Sequence, residues 1–255
     1  MKAKQLERWA PWALLVATVL LWQLVCTAFQ VSEFIFPSPL RIWEQFVEFR
    51  GEILKHSWRT FWVTMLGFGL AILVGVLLGF LIGSSRLAYA ALYPLMTAFN
   101  ALPKAAFVPI LVVWFGIGVG PAVLTAFLIS FFPIMVNIAT GLATLEPELE
   151  DVLRVLGARR WDVLFKVGLP RSMPYFYGSL KVAITLAFVG TTVSEMNASN
   201  EGIGYLLVSA GSAMQMGLAF AGLVAVGVMA MLMYELFAWV EKRTTAWAHR
   251  GSQAA

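Results

Sequence analysis

Apolar residues run in long blocks along this 255-residue chain, with little of the two-residue alternation that marks a half-buried strand. Six blocks stand out, at roughly 9–29, 57–83, 88–115, 121–143, 176–197 and 217–241. Each has the ~20 mostly apolar residues that a helix needs to cross a hydrocarbon core of ~30 Å. The pattern predicts an all-α, polytopic membrane protein with six transmembrane helices. It forms a single domain over 1–255, with its core at 57–243 and its longest polar loop at 144–171. A short helix is expected at 38–50, with Ser38 as N-cap and Pro39 at the first helical position. There Trp43, Phe46 and Val47 share an apolar face and Arg41, Glu44 and Glu48 turn to the other.

Charge sets the orientation. With the N-terminus inside, the cytoplasmic segments carry Lys2, Lys4, Arg8, Arg86, Arg154, Arg159, Arg160, Lys166, Arg171, Lys242, Arg243 and Arg250, 12 of the 18 basic residues. The outer loops carry Arg41, Arg50 and Lys55, and Arg59, Lys104 and Lys181 fall at or within spans. This bias predicts both termini in the cytoplasm. It also explains the net charge of +4, so the basic residues do not call for nucleic acid as a partner. Composition agrees: 60% of residues are hydrophobic and 13% charged, against about 25% charged in soluble domains. The first span follows a basic start and could pass for a signal peptide. Val25 directly precedes Cys26, where a lipoprotein signal needs a small residue, so an uncleaved anchor is expected. Cys26 is the single cysteine, and His56 and His249 are far apart, so neither a disulfide nor a metal site is expected.

The loop at 144–171 is the polar exception. Leu145, Leu149, Val152 and Leu156 recur at helical spacing after Thr144, a candidate N-cap, with Pro147 in the first turn and Glu146, Glu148, Glu150 and Asp151 near the positive end of the dipole. Gly157 can take φ > 0 and stop that helix. A second helix follows, in which Trp161, Leu164 and Phe165 form an apolar face and Arg159, Asp162 and Lys166 line another. Asp162 and Lys166 form an i,i+4 pair in the favoured order, and Pro170 is expected to end the unit. By composition alone this is either a solvated cytoplasmic loop or a docking knob for another protein.

The stretch "DVLRVLGARRWDVLFKVGLP" resembles the EAA loop of binding-protein-dependent ABC importer permeases. In that pattern an acidic residue and two small residues precede a glycine, and nine spacers lead to an aliphatic-x-Leu-Pro ending. Gly157 is followed by nine residues and then Val167-Gly168-Leu169-Pro170. Asp151-Val152-Leu153 departs from the usual Glu-Ala-Ala but keeps the acid. "ALPKAAFVPILVVWFGIG" (101–118) and "VSEMNASNEGIGYLL" (193–207) look like the nitrate/taurine/sulfonate branch. In the latter, Glu195, Gly202, Ile203, Gly204 and Tyr205 match a Glu, linker, Gly-Leu-Gly-Tyr pattern. The resemblance implies a permease subunit of type I importer architecture in a bacterial inner membrane, as a homodimer. Its implied partners are a cytoplasmic ABC ATPase dimer and a soluble substrate-binding protein. Asp151, Gly157, Arg159, Arg160, Trp161, Phe165, Leu169 and Pro170 would then couple to the ATPase.

Two further features bear on transport. Gly75, Gly79 and Gly83 recur every four residues, a spacing that lets helix backbones approach closely. Pro94, Pro103 and Pro109 interrupt the third span, and a broken helix is tolerated only against protein or water. Asn100, Lys104, Asn137, Glu195 and Asn197 are polar at membrane depth, and so are candidates to line a translocation path, with Lys104 and Glu195 a candidate charge pair. No Gly-x-x-x-x-Gly-Lys-[Ser/Thr] occurs and no nucleophile–base signature is found. The chain is therefore expected to be no enzyme and to hold no cofactor, with ATP bound by a separate subunit. A small anion or small organic solute is the expected cargo: nitrate, a sulfonate, taurine, an aromatic carboxylate or a vitamin precursor. An ion-coupled secondary transporter is the alternative, although the repeated halves common in such folds are missing.

Overall fold

The computed structural model describes residues 2–143, 152–153 and 155–245, all helix or connection with no strand among them. The helices are α1 (Lys2–Ala28), α2 (Pro39–Glu48), α3 (Arg50–Gly83), α4 (Arg86–Asn100), α5 (Val108–Phe115), α6 (Val119–Ala143), α7 (Arg160–Val163), α8 (Leu169–Ala198), α9 (Ile203–Ser212) and α10 (Met216–Thr244). A 3₁₀ turn (Lys104–Phe107) joins α4 to α5, and a π-helical turn (Leu164–Gly168) joins α7 to α8. The helices α1, α3, α6, α8 and α10 are each long and apolar enough to span a membrane, and the α4–α5 pair makes six.

The core is built from α3, α6 and α8. Gly67, Gly75, Gly79 and Gly83 of α3 each lie against α6 so closely that a Cβ would strike Ala126, Ile134, Met135 O or Ala139 respectively. Ala71, fully buried, completes the four-residue stripe. On the other flank of α6, Gly190 of α8 admits the backbone at Thr125 and Ala126. Side chains such as Ile134, Ile138, Ile184 and Phe188 then fill the centre. Large apolar residues such as Leu73, Leu77, Val113 and Leu232 face outward, the reverse of a soluble domain and the expected arrangement where the surroundings are lipid or another subunit.

Three elements differ from the sequence expectation, while the interruption expected of the third span is present, at one of its three prolines. The third span is two helical pieces bent by 73° at a break over residues 101–103. Pro103 there removes a backbone donor and pushes the preceding residue out of the helical region. The second span starts at Arg50, so Arg50, Gly51, Lys55 and His56 belong to a helix and not to a loop. Phe49 alone separates it from α2. In α2 the Ser38 hydroxyl does cap, accepting from the Arg41 N–H at 3.3 Å, but the buried face is Ile42 and Gln45 while Trp43 and Val47 are exposed. The reason is Gly217 of α10, which lets Gln45 seat directly on that helix. Lastly, α9 is a short apolar helix that was absent from the six-block pattern, since its ten residues are too few to stand out.

α1 stands apart, touching the rest mainly near its C-terminal end. Trp22 meets Phe36 and Phe220 with ring centroids 5.1 and 6.4 Å away, and Gln23 Oε1 accepts from the Leu40 N–H at 3.1 Å.

The stripe makes a stability prediction. Gly79→Ala places a methyl on the Met135 carbonyl and Ile138, and is expected to cost about 1–3 kcal/mol through overpacking. Gly69→Ala, with nothing within 4 Å of the new methyl, is expected to be neutral or slightly stabilising. Thermal unfolding of the two purified variants checks the contrast, and equal midpoints would remove the stripe from the fold's foundations.

Candidate coupling loop and polar sites of the spans

The loop between α6 and α8 turns on Gly157. Its φ is +84°, a conformation that disfavours any side chain. The Ala158 N–H donates to the Leu153 carbonyl at 2.9 Å, closing a six-residue Schellman-type end on the preceding helical residues. A Cβ at Gly157 would have nothing within 4 Å, so glycine is required here by backbone angle and not by space. The next helix starts at once: the Asp162 carboxylate accepts from the Arg159 N–H at 3.2 Å and from Lys166 Nζ at 2.8 Å. Those two hydrogen bonds, Lys166 first, hold the Asp162 carboxyl below its ordinary range.

Beyond Asp162 the expected end at Pro170 does not occur. Leu164–Gly168 widens into a π turn, the Leu169 N–H donates to the Leu164 carbonyl, and Pro170 sits in the first turn of α8. That is a position where its missing N–H costs nothing. The loop is thereby continuous with a spanning helix, so a push on α7 is delivered to α8 directly. Phe165 leans on Phe80 of α3 at 5.8 Å between ring centroids, yet is half exposed. Leu169 is half-buried and Pro170 exposed, with Val163 and Gly168 buried beside them. Asp151, the acid of the loop motif, and the 144–150 part of the expected first helix lie outside the described residues, as do the side chains of Arg160 and Trp161.

The five polar candidates of the spans fall into two groups. Near the C-terminal end of α8, Glu195 is fully buried. Its carboxylate accepts from the Thr60 hydroxyl at 2.8 Å and from the Gly204 N–H at 3.1 Å, while Thr60 Oγ1 itself accepts from the Ile203 N–H at 2.8 Å. Gly202, at φ +99°, lies against the carboxylate, and a Cβ there or at Gly204 would occupy its space. His56 Nδ1 accepts from the Gly202 N–H at 3.0 Å, and Arg59 pairs with Glu201 at 3.3 Å. Thus His56, Arg59 and Thr60, on one face of α3, clamp the loop that joins α8 to α9. The Glu–Gly–x–Gly spacing is the signature of this cradle. Asn197 is exposed and spends its amide on the Val193 carbonyl.

At mid-depth, Lys104 lies on the broken third span. Its ammonium donates to the Asn100 carbonyl at 2.8 Å and to Asn100 Oδ1 at 2.7 Å, and stands 5.6 Å from the centroid of Phe132. Asn137 sits on α6 a little over one turn beyond, its amide on the Pro133 carbonyl. Lys104 and Glu195 therefore have separate partners, and the expected charge pair is not formed. The charge pair that does cross helices was missed: Lys181 Nζ meets Glu241 Oε2 at 2.6 Å, linking α8 to α10 with both side chains mostly buried. Sequence showed a lysine in one span and glutamates in the other, with nothing to say which would meet. Glu235, exposed on α10, was also passed over.

Comparison with known proteins follows this geometry. A family model for the binding-protein-dependent transport system inner membrane component matches residues 71–246. A Haemophilus influenzae protein described as an ABC transporter permease is 32% identical over 232 residues, covering 90% of this chain and 95% of its own. An aliphatic sulfonates transport permease protein of Bacillus subtilis is 28% identical, covering 94% and 88%. Other relatives are named for taurine, nitrate and riboflavin transport. A chain of the inward-facing methionine ABC transporter MetNI superposes with a TM-score of 0.67 at 17% identity, over 77% of this chain and 98% of that one. This last likeness speaks to fold alone.

The cradle predicts a split between two substitutions. Glu195→Ala leaves the Thr60 hydroxyl and the Gly204 N–H buried without an acceptor, and is expected to lower stability by about 2–5 kcal/mol. Glu195→Gln keeps an oxygen for both donors and is expected to lose less than about half of that. Melting midpoints of the two detergent-solubilised variants check the order, and equal losses would mean that the negative charge, not the acceptor, holds the loop.

Proposed function

The chain belongs to the binding-protein-dependent transport system inner membrane components, and from that premise we propose that it is the permease subunit of an ATP-driven importer, coupled through the Gly157 loop to a separate cytoplasmic ABC ATPase dimer. Two copies of the chain form the translocation path between them, and a soluble binding protein delivers the solute at the outer face. Both termini lie in the cytoplasm. The cargo is a small anion or small organic solute of the kind named for the relatives, such as a sulfonate, taurine, nitrate or riboflavin.

The observation that carries this reading is the exposed elbow at Gly157, followed directly by a helix that continues through a π turn into α8. An ATPase that grips α7 moves a spanning helix without an intervening hinge. Arg159 and Lys166, both exposed, form a polar rim that steers docking more than it sets affinity. Phe165, half exposed over Phe80, offers the apolar contact. At the other end of the same helix, the Glu195 cradle ties α8 to α9 and α3, so a displacement begun at the loop reaches the outer face as one body. With the family known, the ion-coupled alternative has no observation of its own.

Gly157→Val is expected to insert and assemble normally yet lose ATP-dependent uptake, since a β-branched residue resists the left-handed angle by about 1–2 kcal/mol or more. Full uptake with normal coupling of hydrolysis in reconstituted vesicles would sink the coupling role. For topology, in a Cys26→Ser background, Gly51→Cys is expected to react with an impermeant thiol reagent in sealed cells and Lys166→Cys to be protected. Labelling of the latter would place the loop on the wrong side for an ATPase.

A further inference from the structure

We infer that the break between α4 and α5 forms a cationic station in the translocation path, with Lys104 the group that receives an anionic solute, one carrying a carboxylate, sulfonate or similar oxyanion. The inference rests on the permease reading above and adds the charge of its cargo.

Depth is the first observation. Phe132, over which the ammonium stands, lies midway along the 25-residue α6, so Lys104 is near the bilayer centre. Neutralisation is the second. Lys181 has Glu241 and Arg59 has Glu201, but among the described residues no carboxylate pairs with Lys104. Its two hydrogen-bond acceptors are the neutral oxygens of Asn100, which leaves one of its three N–H donors to spare. A full positive charge thus sits at mid-depth with its field uncancelled.

Surroundings are the third. Asn100, Ala101, Leu102 and Pro103 are exposed on this chain, and the backbone there departs from the helix with a 73° bend. Hydrocarbon does not tolerate open backbone polar groups or an unpaired ammonium. The hinge therefore faces water or a second subunit, and in a permease that works in pairs the water-filled space between subunits meets both conditions. Within such a space, low-dielectric walls strengthen the field of a single charge. The site attracts anions and repels cations. Neutral partners for Lys104 serve that end, because a carboxylate in place of Asn100 would cancel the field the solute reads.

The test needs no knowledge of the solute. In a Cys26→Ser background, Ala101→Cys puts a thiol on the exposed hinge three residues before Lys104, and Ala105→Cys serves as a second position. The complex with its ATPase is isolated and reconstituted, and rates of modification are measured with anionic sulfonatoethyl and cationic trimethylammonioethyl methanethiosulfonate. The anionic reagent is expected to react faster. Lys104→Gln is expected to lower the anionic-to-cationic rate ratio about tenfold, roughly threefold for each reagent, as a unit charge ~6 Å away across water would. Lys104→Arg is expected to preserve the ratio. A ratio unmoved by Lys104→Gln overturns the inference, as do thiols at both positions that react only after denaturation. Co-purification of the ATPase is scored in the same preparations. Its absence would count against the permease reading, whereas its presence with an unmoved ratio counts against the cationic station alone.

Discussion

The approach of α3 to α6 underlies everything else in this molecule. In a bilayer, helices gain little by hiding apolar surface from one another, since lipid is as apolar as leucine, and association depends on dispersion contacts at short range. The stripe Gly67, Ala71, Gly75, Gly79 and Gly83 removes the side chains that would hold the two backbones apart. Gly190 does the same between α6 and α8. Three helices packed this closely are a rigid body, and the remaining spans arrange themselves around it: α10 along the flank of α8, the broken α4–α5 against α6, and α1 farthest out.

That rigidity explains why polar residues at two depths do different work. Glu195 is enclosed where α3, α8 and α9 meet, its carboxylate accepting from the Gly204 N–H and the Thr60 hydroxyl, which in turn accepts from the Ile203 N–H. Burial of a carboxylate is tolerable only with donors so placed. Its role is to hold the outer loop in one shape. Lys104 is the opposite case, half exposed on a hinge, its ammonium bonded across the break to Asn100 and standing over the Phe132 ring. It is free to meet something from outside the chain. Two ionisable residues that look alike in a hydropathy plot thus sit in opposite settings, one closed in by three helices and one open at a hinge, and what separates them is enclosure.

The loop between α6 and α8 shows how local geometry fixes two successive helices against each other. The Schellman-type end at Gly157 fixes one angle, and the hydrogen bonds of Asp162 to the Arg159 N–H and to Lys166 start the next helix without slack. The π turn then lets Pro170 sit at the start of α8 without a clash against the preceding carbonyls. A loop built with a flexible linker at this point would dissipate any displacement, whereas this one hands it to a helix of 30 residues.

Much of this was legible in sequence because it depends on properties that residues carry individually. Length and apolarity of the blocks set the spans, since no other secondary structure satisfies its own backbone in lipid. Glycine at 157 announced a positive φ, Ser38 a helix cap, and four-residue glycine spacing a close helix contact, each through a local steric rule. The 193–207 motif was visible as spacing, yet its meaning was not. Only the folded chain brings Thr60 and Gly204, 144 positions apart, onto the carboxylate of Glu195. Likewise, tertiary structure alone decided that Lys104 pairs with Asn100 and not with Glu195, that Lys181 finds Glu241, and that α2 buries Gln45 against Gly217 in place of Trp43. Periodicity tells which face of a helix is apolar. It cannot tell which neighbour arrives at that face, because a partner is chosen by the packing of the whole bundle, where small residues permit approach and large ones forbid it.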